Sequence, residues 1–233
     1  MPNSSSPFWR KRAFQIVIAA CAQFVVLTAI AMLVYPGGTS SDKATSGYSF
    51  FTNFFSDLGR TVAHNTQPNT IASVLFPVAL TGAGAGLILF FIAFTQFFRQ
   101  SALTRVLSFV GTLFGLGAGV CFIGVAFTPS NLFGALHGSF VLGAFGLFFV
   151  AVSVYVIPML MENGYPSRHT LIFIAFAVML GVYVWLMVNG PRGNTPDVAW
   201  VQPTAQKVIV YASLASVTLQ SLAAMSVARA RRN

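Results

Sequence analysis

Ser56, Asp57, Arg60, His64 and His137 are the side chains of this sequence that could do chemistry together. An aspartate with two histidines can hold a metal ion such as zinc and leave an open position for water. In that arrangement Asp57, His64 and His137 are the ligands and Ser56 orients water or an oxyanion. A serine beside an aspartate and a histidine can also relay a proton. Without catalysis, Arg60 and His64 can contact a phosphate while Asp57, three residues from Arg60, holds the guanidinium in place. Asp57 is one of only four acidic residues in 233. Ionisable groups at membrane depth are costly, which makes them candidates for function. Each also has a plainer reading. Asp57 and Arg60 can form an interfacial ion pair, His64 can be solvated surface, and His137 can donate to a loop carbonyl at a helix start. The spacing contains no HExxH or His-x3-His pattern of a tight metal site.

The stretch Tyr48–Thr61 must position most of this set. At helical spacing Asn53, Asp57, Arg60 and His64 recur at i, i+4, i+7 and i+11, while Phe51, Phe54, Phe55, Leu58 and Val62 share another face. This pattern predicts an amphipathic segment lying in the membrane interface, apolar face down and polar stripe towards a bundle mouth. Asn53, Asp57, Arg60, His64 and His137 are then the candidate ligand-binding residues.

Composition sets the class. Hydrophobic residues make up 56% of the chain and charged residues 7%, against roughly 25% charged in soluble domains. The net charge of +9 comes mostly from basic residues beside apolar runs, so membrane topology explains it and nucleic-acid binding is excluded as a reading. Cys21 and Cys121 both sit inside apolar runs, where thiols act as small hydrophobes.

The expected fold is an all-α integral membrane bundle of six transmembrane helices, with the amphipathic outer-face segment between the first two. A basic N-terminus, residues 1–12, precedes a single membrane domain over 13–228, and a basic tail covers 229–233. The spans are expected at 13–35, 71–98, 106–128, 138–161, 170–189 and 208–228. Asn69 or Thr70 reads as the N-cap of the second. In the third, Gly111, Gly115 and Gly119 recur at i, i+4 and i+8, a helix-packing face. Arg10, Lys11, Arg12, Arg99, Arg105, Arg168, Arg229, Arg231 and Arg232 fall on one side, against Lys43, Arg60, Arg192 and Lys207 on the other. The positive-inside rule then makes both termini cytoplasmic, in a multi-pass plasma-membrane protein. His169 falls on the cytoplasmic side, away from the other histidines. Gln220, deep in the sixth span, is expected to bond to a neighbouring helix.

The motifs Phe55-Ser56-Asp57-Leu58-Gly59 and Gly124-Val-Ala-Phe-Thr-Pro-Ser-Asn131, with His137 opening the fourth span, resemble the DUF998 group of bacterial and archaeal membrane proteins. The resemblance covers roughly residues 13–160. It departs from the group's pattern at Thr128, between Phe127 and Pro129, and at Asn131, where an acid is more usual. It implies about six helices and a plasma-membrane location, and brings no established activity. A more distant likeness is to the Frag1/DRAM/Sfk1 type of six-helix membrane protein, which is associated with lipid handling. Likeness to alkaline-ceramidase-type hydrolases rests on Ser, Asp and His residues alone; those enzymes use three histidines at one site, and this chain can bring two to one face.

The leading expectation is a binding protein ahead of an enzyme, whose outward polar mouth takes a lipid headgroup or a membrane partner, including a second copy of the chain. The leading reading needs no cofactor. The alternative is a zinc-dependent intramembrane hydrolase of lipid amides or esters. A small-solute transporter ranks third, because no span carries a mid-membrane acid or base.

Overall fold

The computed structural model describes residues 8–230 apart from Asn163, Arg192, Asn194 and Pro196. The first seven residues, Arg192 and the end of the basic tail therefore lie outside the described residues. Six helices carry the chain: α1 (Ala13–Leu33), α2 (Ala72–Phe94), α3 (Ala102–Ala126), α4 (Ser130–Met161), α5 (Ser167–Asn189) and α6 (Val201–Ala230). All are long and apolar enough to cross a membrane. The protein is a multi-pass, all-helical membrane bundle. Each helix packs on the next in sequence and α6 returns to α1, closing a ring. Both termini lie at one end, where Gln96 Nε2 donates to the Trp9 carbonyl at 2.7 Å. The long α1–α2 connection covers the other end, here called the cap end.

Backbone proximity, rather than the hydrophobic effect, must hold helices together in lipid. The glycines of α3 provide it. A Cβ on Gly115 would enter the ring of Phe91 on α2, and one on Gly119 would stand 2.5 Å from Ile88 and 2.9 Å from the Gly84 carbonyl. Beside them Thr112 Oγ1 meets Tyr155 Oη at 2.7 Å and the Phe91 carbonyl at 3.2 Å, joining α3 to α4 and α2. Around this junction Phe90, Phe91, Phe94, Phe98, Tyr155 and Phe173 are wholly buried. Towards the terminal end Gln220 accepts from Tyr165 at 2.6 Å and donates to the His169 carbonyl at 2.7 Å, the cross-helix bonding expected of it.

Some boundaries differ from expectation for physical reasons. Asn69 does not cap α2. Its side-chain amide donates to the carbonyls of Leu58 at 2.9 Å and Arg60 at 2.7 Å, fastening the connection instead. Helix α4 starts early, at Ser130, and is broken at Phe133, whose φ of −125° and ψ of 35° are not helical. Helix α6 starts at Val201, with Pro203 in its first turn, where the missing N–H costs little. At 30 residues it is about 45 Å long, against a hydrocarbon core of about 30 Å. Its first turns can therefore be polar.

Replacing Gly115 with leucine should force α2 and α3 apart. Overpacking of this kind costs roughly 1–3 kcal/mol or more, so a clear drop in the unfolding temperature in detergent is expected. Gly146→Ala, where an added Cβ meets nothing within 4 Å, should leave that temperature unchanged.

Candidate functional site

The α1–α2 connection is not one amphipathic helix. It is a folded cap of turns, two isolated β-bridges (Gly37 with Ser46, Val62 with Pro68) and one short 3-10 helix, Phe55–Gly59. Its apolar side does face the bundle, with Phe55 and Leu58 buried, while Phe51 stays exposed. The polar residues gather by loop geometry instead of along a helical stripe.

Asp57 is the junction. Its Oδ2 accepts from the Phe54 backbone N–H at 2.9 Å and from Asn53 Nδ2 at 3.1 Å. Its Oδ1 stands 3.1 Å from His64 Nε2. The expected partnership with Arg60 is not formed: Arg60 Nε donates to the Val62 carbonyl at 3.1 Å. The 3-10 turn explains this, because it puts Asp57 under its own N-terminal backbone while Arg60 leaves the turn extended. Asn53 is wholly buried. Its amide donates to the Gly38 carbonyl at 2.9 Å as well as to Asp57, and its Oδ1 accepts from Ser49 N at 2.9 Å.

Beneath this knot lies Lys207, which sequence reasoning placed among the loop charges. It is 1% exposed. The ammonium donates to the Asn53 carbonyl and, at 3.5 Å, to that of Pro203. It also lies 5.3 Å from the ring centres of Tyr48 and Phe50 and 5.7 Å from that of Phe55. Its neighbours on α6 continue the attachment. Thr204 Oγ1 donates to the Phe51 carbonyl at 3.1 Å, and Gln206 Oε1 accepts from Phe55 N at 2.8 Å. The signal that could have found this set is the run Gln202–Lys207 read as the first turns of a helix rather than as loop.

Between the 3-10 turn, α4, α5 and α6 opens a cleft of about 590 Å³. Ser56, Asp57, Ser130, His137, Gln202 and Gln206 are among its polar residues, and Val141, Leu142, Met187 and Val188 are part of its apolar wall. His137 Nδ1 is 2.6 Å from the Thr128 carbonyl. A carbonyl can only accept, so Nδ1 carries the proton and neutral His137 keeps a lone pair on Nε2. That Nε2 is buried and has no hydrogen-bond partner among the described residues. Gln202 uses its amide N–H on the Leu186 carbonyl at 2.7 Å, which leaves its oxygen as an acceptor. Among the described residues no Lys or Arg lines the cleft.

Of the residues expected to meet a ligand, Asp57 and His137 come together here, joined by Ser56 of the alternative catalytic set. Asn53, Arg60 and His64 do not line the cleft. Asn53 and His64 bond to Asp57, which does line it, and Arg60 bonds to the Val62 carbonyl. Among the described residues no three His, Cys, Asp or Glu side chains are grouped to hold a metal ion. The Asn131 carboxamide, where the resembling group more usually has an acid, ties α4 to the cap: Oδ1 accepts from Thr61 N at 3.1 Å, and Nδ2 donates to Thr61 Oγ1 at 2.8 Å.

No family model, no curated protein and no solved structure matches the chain. The geometry of the cap end is thus the basis for any functional reading.

Two phenols report on the cap electrostatically. Burial first, then the Asp57 carboxylate, push Tyr35 up to about 12 and Tyr48 well above its usual range. Tyr48 therefore stays a donor, to the Phe54 carbonyl at 3.0 Å. Both groups hold their protons more tightly folded than unfolded. Their contribution to stability is present below the usual value of 10.0, and that of Tyr35 falls as pH climbs through about 12. Phenolate absorbance should show these tyrosines titrating late, together with loss of the cap. Ordinary titration near 10 in the folded protein would contradict their burial.

Proposed function

We propose that the cap-end cleft binds a membrane amphiphile whose head donates hydrogen bonds. The observation that carries this reading is the buried Nε2 of His137, which has no partner among the described residues, in a cleft that also offers the Gln202 oxygen as an acceptor. A buried acceptor without a partner costs about 1–3 kcal/mol, which a hydroxyl or amine on the ligand would recover. A phosphate brings acceptors only and suits this lining poorly. The head contact first expected of Arg60 and His64 is therefore reassigned to His137, Gln202 and Ser56. Leu142 and Val188, 45% and 54% exposed, would carry the chain of the ligand along α4 and α5.

We further propose that the cap faces outward from the plasma membrane with both termini cytoplasmic, as the distribution of basic residues favours. Kinship with the DUF998 group belongs to the same proposal and is supported by the Ser56-Asp57-Leu58-Gly59 run and by His137.

A second reading, hydrolysis of a lipid amide or ester, draws on the same lone pair. His137, its tautomer fixed from behind by the Thr128 carbonyl, is built as a general base or metal ligand is built, and Ser56 lines the same cleft. Metal analysis and lipid incubation test it: one equivalent of zinc lost in His137→Ala, or release of fatty acid, would move the protein into that class.

Lipids retained through detergent purification test the binding reading. Wild type should be enriched in amine- or hydroxyl-headed lipids such as phosphatidylethanolamine or glycolipid over phosphatidylcholine. His137→Phe should lose that enrichment about tenfold, the factor expected for one good hydrogen bond, and Arg60→Ala should keep it. The same lipid profile in His137→Phe and wild type would refute the proposal.

A further inference from the structure

The opposite end of the bundle carries a second hollow of about 460 Å³, lined by Thr95, Arg99, Arg105, Ser108 and Phe109. It lies where α2 tightens into a 3-10 turn, Thr95–Phe97, and the chain leaves the helix at Phe98 before an extended Ser101 caps α3. Arg99 and Arg105 approach the hollow from opposite sides of that short loop. Neither guanidinium has a hydrogen-bond or carboxylate partner among the described residues, and the first turn of α3 contains no acidic residue. The nearby hydroxyls cannot supply donors instead. Ser108 Oγ donates to the Arg105 carbonyl at 3.0 Å and Thr95 Oγ1 to the Ile92 carbonyl at 2.8 Å. Among the described side chains lining the hollow, the free donors are thus the arginine N–H groups, with five on each guanidinium.

Two planar forks over one hollow match the oxygens of a phosphate. What adjoins the hollow identifies the source of that phosphate. Val106, Phe109 and Leu113 follow at i, i+3 and i+7, each more than half exposed on the outside of α3. This apolar stripe descends from the arginines along the lipid-facing surface. We propose that Arg99 and Arg105 bind the phosphate of an anionic phospholipid whose chains lie on the Val106–Phe109–Leu113 stripe. The site is separate from the cap-end cleft and opposite to it in chemistry: free cationic donors here, free acceptors there. The two ends of the bundle would then select different lipids in the two leaflets.

The test titrates phosphatidylglycerol into the full-length protein in neutral detergent and counts bound lipid by native mass spectrometry, with phosphatidylcholine as comparison. Phosphatidylglycerol should bind more tightly than phosphatidylcholine. Arg99→Gln with Arg105→Gln should weaken it at least about tenfold, as expected for the loss of charged hydrogen bonds. Arg168→Gln removes a charge at the same end of the bundle but outside the hollow, and should change affinity less than about twofold, as loss of a distant surface charge does. The double variant should melt where wild type melts when no lipid is added, because neither guanidinium makes a hydrogen bond or ion pair among the described residues. Should the double variant not fold, Arg99→Lys with Arg105→Lys replaces it, and partial retention of binding is expected. An equal effect of Arg168→Gln would overturn the proposal, leaving only bulk charge. Equal binding of phosphatidylcholine would overturn it as well. Displacement of phosphatidylglycerol by inorganic phosphate at equal concentration would assign the arginines to a free anion and refute the lipid.

Discussion

An ammonium group withdrawn from water must be given back what water supplied, and the cap end of this protein is arranged around that requirement. Lys207 is essentially inaccessible, and isolated burial of such a charge is prohibitive. The carbonyls of Asn53 and Pro203 and the faces of three aromatic rings replace its hydration. Cation–aromatic contacts are worth about 2 kcal/mol or more when desolvated. Asp57 adds a nearby negative charge that acts on the lysine electrostatically without touching it. Tyr48, Phe50, Asn53 and Phe55 all come from one short stretch of the α1–α2 connection. Satisfying Lys207 therefore folds that stretch onto α6.

The rest of the site depends on this attachment. Once Asn53 is fixed by its backbone to Lys207 and by its side chain to Gly38, its amide reaches Asp57 and the 3-10 turn closes over its own carboxylate. That turn places Ser56 and Asp57 at the edge of α4 and α5, facing the helix that carries His137. The bond from His137 to the Thr128 carbonyl, just before the break at Phe133, keeps a proton on Nδ1 and sets the orientation of the ring. The cleft is thus a gap left between a rigid cap and the helices below it. Its unfilled acceptor is a consequence of that construction, and a ligand donor is what would complete it.

Much of the architecture was legible because lipid imposes simple rules. Long uncharged runs gave the spans, and the spacing of Gly111, Gly115 and Gly119 gave a packing face that Tyr155, Phe91 and Ile88 do occupy. The candidate residues were legible by type. Asn53, Asp57 and His64 are in contact, and Ser56, Asp57 and His137 share a cleft. Their arrangement was not legible, because a helical stripe and a 3-10 knot can bring the same i, i+4 pair together and yet send Arg60 in different directions. Lys207 was missed for a related reason. The polar run Gln202–Lys207 depresses hydropathy where α6 begins, so a buried structural charge looks like a loop charge beside a span. Only the tertiary contact with Asn53 and the aromatic rings distinguishes the two.

The most direct test of the account is backbone hydrogen exchange of residues 48–59 in wild type and in Lys207→Met, which keeps the length of the side chain and removes its charge and donors. If the ammonium organises the cap, the Asn53, Phe54 and Asp57 amides, protected in wild type by bonds within the cap, should exchange at least about tenfold faster in the variant, the factor that corresponds to 1.4 kcal/mol. The helical amides of α2 and α3 should be unchanged. Equal protection of residues 48–59 in both proteins would mean that the cap stands without Lys207, and the central claim would be wrong.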